Sequence, residues 1–94
     1  MEAQNAITLA KSQVSTIFAD EGVVNVGLEE LEYDPANGTW KVTIGFSRPW
    51  DINTPNLLNN AMNVPPLRRT YKVVTIDDTS GRFLSVSNRE TQSA

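Results

Sequence analysis

Between residues 2 and 20 the apolar side chains recur at steps of three and four: Ala3, Ile7, Ala10, Val14, Ile17 and Phe18. That spacing lays them along one stripe of an α-helix. Gln4, Asn5, Thr8, Lys11, Ser12 and Ser15 fill the other faces, and Gly22 is a natural C-terminal stop. The pattern predicts a helix over 2–21 that covers a sheet with one side and meets water with the other.

From residue 23 the period falls to two. Val24, Val26 and Leu28 share one parity, but Leu31 and Tyr33 take the other, so a strand over about 23–33 needs a β-bulge near Gly27 to Glu30 to keep its apolar side inward. Asp34-Pro35-Ala36-Asn37-Gly38 then places Pro early in a turn and Asn-Gly where positive φ is required. The next strand, about 39–47, must run antiparallel. There Trp40, Val42, Ile44 and Phe46 alternate strictly with Lys41, Thr43, Gly45 and Ser47, which assigns the first four to the core. A third strand, about 69–76, is apolar on both faces at Val73 and Val74, as a central strand is. It turns through Asp77-Asp78-Thr79-Ser80-Gly81 into a fourth over about 82–88. Residues 89–94 form a polar tail.

Between the second and third strands, residues 48–67 hold four prolines (49, 55, 65 and 66) and five asparagines (53, 56, 59, 60 and 63). Thr54 and Pro55 suit the start of a short helix whose apolar side would carry Leu57, Leu58, Ala61 and Met62. The expectation is therefore a single α+β domain of 94 residues: an N-terminal helix on a four-stranded antiparallel meander, with a long loop between strands 2 and 3.

Composition narrows the function. Eight basic and eleven acidic residues give a net charge of −3 with no cationic run, which argues against nucleic acid as a partner. Arg68-Arg69 reads as a solvated strand edge or gatekeeper. Cysteine and histidine are both absent. Their absence removes Ser-His and Cys-His nucleophile systems, the commonest general base and the commonest metal ligand. The carboxylates fall on neighbouring strand or turn positions rather than across a cleft, so no enzyme and no cofactor are expected. No segment is apolar over a membrane-spanning length, and residues 1–5 lack the features of a signal peptide. As written the chain reads as cytoplasmic, or as periplasmic or extracellular where a signal has been removed.

The order helix, strand, Asn-Gly hairpin, strand, loop, strand, Asp-x-x-Ser-Gly turn, strand resembles that of PepSY and PepSY-like domains. The helix around Ala6-Ile7-Ala10-Lys11, the run Trp40-Lys41-Val42-Thr43-Ile44 and the final hairpin from Tyr71 to Val86 carry the likeness, with Asp77 and Gly81 at the family's Asp and Gly. The resemblance implies a cystatin-like α+β architecture and a non-enzymatic interaction or inhibitory module that restrains peptidases. Pro49-Trp50 is similar to the Pro-Trp loop of cystatins, but no Gln-x-Val-x-Gly occurs, so inhibition in the cystatin manner is not expected.

Among candidate sites, Glu30, Glu32 and Asp34 share one strand face and read as a solvated acidic surface rather than a hard-cation site. Asp77 to Ser80 reads as turn chemistry rather than an anion nest. Arg48-Pro49-Trp50-Asp51 has two readings. In one, Trp50 and Arg48 are exposed anchors of the residue types enriched at interface hot spots, flanked by Leu57, Leu58 and Met62. In the other, Trp50 folds back over the core and Arg48 pairs with Asp51.

The leading expectation is a protein-binding module, inhibitory or regulatory, that contacts its partner through the 48–67 loop, with a sheet edge as a further candidate surface, by steric occlusion or β-augmentation, and that is monomeric or weakly dimeric. The alternatives are a small-ligand domain with a pocket lined by Trp40, Phe46 and Tyr71, or a structural subunit that oligomerises through exposed strands.

Overall fold

The computed structural model describes residues 1–52 and 69–89, with the backbone alone at Asp51 and Ile52. Helix α1 (Ala3–Ile17) is followed by a 3₁₀ turn (Ala19–Glu21), and then by strands β1 (Val24–Asp34) and β2 (Thr39–Ser47). A short helix α2 (Pro49–Ile52) precedes β3 (Thr70–Asp77) and β4 (Phe83–Asn88). The strands form one antiparallel sheet in the order β1-β2-β3-β4, with α1 packed on one face. This is the expected α+β meander.

The helix is shorter than the 2–21 the periodicity predicts, because the chain tightens into the 3₁₀ turn and stops at Gly22 in the left-handed region, φ 64°. Its buried side chains are Ala6, Ala10 and Val14 at successive steps of four. Two of these are alanines, which let the helix backbone approach the sheet closely. Ile17 is the last residue of α1 and is 43% exposed.

Val42, Ile44 and Phe46 of β2 and Val74 and Ile76 of β3 are fully buried beneath the helix. Each such side chain contributes about 1.5–3 kcal/mol relative to an exposed one. The Phe18 ring seals one end at 5.4 Å from that of Phe46. Tyr71 does not share this interior. It pairs with Gly45, so it stands on the opposite face of the sheet from Trp40 and Phe46, and the three do not converge on one pocket between helix and sheet.

β1 needs two irregularities to keep register with β2, one between Val24 and Gly27 and one between Leu28 and Glu30. The second lies where the parity change places it. The first contains Asn25 at φ 57°, a conformation that Asn tolerates better than most side chains. Beyond the bulges, Glu30 to Asp34 pair regularly with Thr43 to Thr39. The hairpin closes with Gly38 at φ 62°, and the Asp34 carboxylate accepts hydrogen bonds from Ala36 N and Asn37 Nδ2 at 3.1 and 2.8 Å.

Candidate functional site: the stems of the 48–67 loop

The chain leaves β2 at Ser47 and re-enters the sheet at Thr70, next to each other because Phe46 pairs with Thr70. One arginine holds each stem, on opposite faces of the sheet. Such clamping offsets the entropy of closing a long loop.

On the helix face, Arg48 Nε lies 2.6 Å from Glu21 Oε1, and Nη1 donates to Thr70 Oγ1 at 3.5 Å. The Arg48 Cζ lies 5.8 Å from the centroid of the Phe18 ring, 5.3 Å from that of Phe46 and 5.4 Å from that of Trp50. A guanidinium among aromatic rings gains from their quadrupoles, more so where water is thinned, and its side chain here is 18% exposed. Arg48 thus joins the 3₁₀ turn, the end of β2, the start of α2 and the start of β3. Arg48 pairs with Glu21 because the 3₁₀ turn brings that carboxylate across the end of the sheet, while the side chain of Asp51, the expected partner, lies outside the described residues.

Trp50 sits in α2 and is 61% exposed. It does not fold back over the core, whose end is already closed by Phe18 and Arg48. Leu57, Leu58 and Met62, the expected apolar flank, lie outside the described residues, as does the short helix expected from Thr54.

On the other face, Arg69 Nη2 donates to the Asn25 backbone oxygen at 3.0 Å and meets Glu29 Oε2 at 3.3 Å. Both side chains lie over Gly45. A Cβ there would stand 2.9 Å from Glu29 Cγ and 3.0 Å from Arg69 Nη2. The gatekeeper reading of Arg69 is thus replaced by a specific anchor. Gly45 in the middle of the strand is the sequence signal for it, since a mid-strand glycine marks a close approach.

Further along this face, Glu30, Glu32, Lys41, Thr43, Val73 and Thr75 help line an open depression of about 420 Å³. Among the described residues no group of three or more carboxylates is placed to hold a metal ion. No helix among them is long and apolar enough to cross a membrane. At the far end, Asp77 Oδ2 accepts from Ser80 N and Oγ, both at 2.8 Å, and these bonds hold its carboxyl below the usual carboxylate range. Asp78 Oδ1 accepts from Trp40 Nε1 at 2.7 Å and lies 3.1 Å from the Met1 ammonium, with the same effect. These carboxylates hold the turn and the half-buried Trp40 indole.

Comparison with protein-family models, curated proteins and solved structures finds no match to this chain. The likeness to PepSY domains therefore rests on the residues that first suggested it.

Proposed function

We propose that the protein is a non-enzymatic protein-binding module, inhibitory or regulatory in effect, that contacts its partner through the 48–67 loop. The carrying observation is Trp50, 61% exposed and 5.4 Å from a guanidinium that Glu21 and two buried-side rings hold in place. Large aromatic surface beside a fixed arginine is what interface hot spots are made of, and a fixed arginine loses little entropy on binding. The mechanism is occlusion of the partner's surface, with Trp50 and Arg48 as anchors and Leu57, Leu58 and Met62 as apolar flank. A peptidase is the partner class that the resemblance to PepSY domains suggests.

The test is photo-cross-linking in the native source from an aryl-azide or benzophenone side chain at position 50, against the same probe at Lys11 on the exposed face of α1. A partner trapped from position 50 and not from position 11 supports the reading. Equal trapping from both positions, or none from position 50, overturns it.

A further inference from the structure

We infer that the outer edge of β1 is a second docking surface, and that its occupant is an extended segment in which basic and apolar residues alternate. The inference rests on the protein-binding reading but concerns a different surface from Trp50.

β1 and β4 are the two edges of the sheet. β1 is the longer, at 11 residues against six. Its irregularities lie between Val24 and Glu30, so the stretch Glu30–Asp34 keeps an unbroken register with β2 and has regular strand backbone. In such a stretch every second residue turns its N–H and C=O away from the neighbouring strand. Among the described residues no strand pairs with that outer side.

The side chains beside this edge differ between the two faces. On the helix face Leu28 and Tyr33 remain 40% and 42% exposed, because α1 packs over the middle of the sheet. On the opposite face stand Glu30 and Glu32. Two of the four carboxylates of this segment are matched: Glu29 by Arg69, and Asp34 by Lys41 at 4.0 Å. Among the described residues Glu30 and Glu32 form no ion pair. A strand laid along Glu30–Asp34 would place alternate residues against Leu31 and Tyr33 and the intervening ones against Glu30 and Glu32. Apolar residues suit the first set and Lys or Arg the second. A second copy of β1 does not fit, since it would set carboxylates against carboxylates, and charge on an edge strand is how self-pairing is suppressed.

The probe is a blocked eight-residue peptide of alternating lysine and valine, titrated into the full chain and followed by backbone NMR. The expected result is saturable shifts confined to Leu28–Asp34 with slowed amide exchange there. The double variant Glu30→Lys/Glu32→Lys, both positions being exposed, should weaken the peptide roughly tenfold and accept a glutamate–valine peptide instead. Trp50→Ala should leave the peptide affinity unchanged, so that the two surfaces fail or succeed separately. Unchanged lysine–valine binding by the folded double variant overturns the inference. So do shifts centred on the depression at Thr75 and Ser87, or no saturable binding at all.

Discussion

Arg48 and Glu21 meet at 2.6 Å across the end of the sheet, where the 3₁₀ turn after α1 faces the residue that follows β2. Their exposures differ: the side chain of Glu21 is 39% exposed and that of Arg48 18%. Removing the carboxylate therefore takes one charge partner from the less hydrated of the two. Glu21→Gln should lower unfolding free energy by about 1 kcal/mol, the upper range for a partly exposed pair. Arg48→Met, which keeps apolar contact with the rings but loses the Thr70 hydrogen bond and the cation–π contacts as well as the ion pair, should cost more. The double variant should fall short of the summed losses by the pair's coupling, about 1 kcal/mol or less. Urea unfolding midpoints at constant m-value check all three.

Trp50 contributes to a surface and not to the core, so its removal should leave the fold intact. Trp50→Ala is expected to change stability by less than about 0.5 kcal/mol. The chain has two tryptophans, and Trp40 is half-buried with its Nε1 bonded to Asp78. Acrylamide should quench the native protein more strongly than Trp50→Phe, whose remaining emission comes from Trp40. Equal quenching of the two would show that Trp50 is not the exposed ring.

The meander was legible because two periodicities run cleanly, one at helical spacing through Ala10 and Val14 and one alternating from Trp40 to Phe46. The parity change in β1 also revealed its second bulge. The first, at Asn25, left no such trace, since Asn at positive φ does not disturb the apolar pattern. The 48–67 stretch stood out through its composition, but the residues that hold its stems did not. Glu21 and Arg48 are 27 positions apart and Glu29 and Arg69 are 40 apart, and ion pairs at such range have no period. Gly45 did carry information, which only the placement of Glu29 and Arg69 makes readable.

Gly45→Ala tests that reading. The new Cβ would stand 2.9 Å from Glu29 Cγ and Oε2, too close for either to stay. These are side-chain atoms and can shift, so the expected loss is about 1 kcal/mol, at the low end for overpacking. Glu29→Ala alone should cost little, as removal of a partly exposed ion pair does. In the Gly45→Ala background, Glu29→Ala should restore part of the stability by removing the closer contact and freeing Arg69 Nη2, at 3.0 Å, to shift. A double-mutant cycle by urea unfolding measures this coupling. Additive losses would mean that Gly45 is required by the backbone itself rather than by the anchor above it.

Acid should weaken the far end of the sheet. Asp34, Asp77 and Asp78 all have carboxyls held below their ordinary value, Asp34 chiefly by Asn37, Asp77 by the Ser80 amide and hydroxyl, and Asp78 by the Trp40 indole. A carboxyl whose folded pKa lies below its unfolded one binds fewer protons when folded. Its contribution is therefore fully present above the unfolded value, about 4, and is lost as pH falls through the folded value. Unfolding free energy should be flat from pH 7 to about 5 with respect to these groups and then decline on further acidification. Asp78→Asn isolates one of the three. An amide still accepts the indole N–H, but it forfeits the charge-assisted bond and the pairing with the Met1 ammonium. The variant should be less stable at pH 7, and the gap to the native chain should narrow as pH falls below about 4, because protonation of Asp78 removes the same charge. Trp40 emission in the Trp50→Phe background, titrated downward from pH 5, follows the same proton. A step there that persists in Trp50→Phe/Asp78→Asn would assign it to another group.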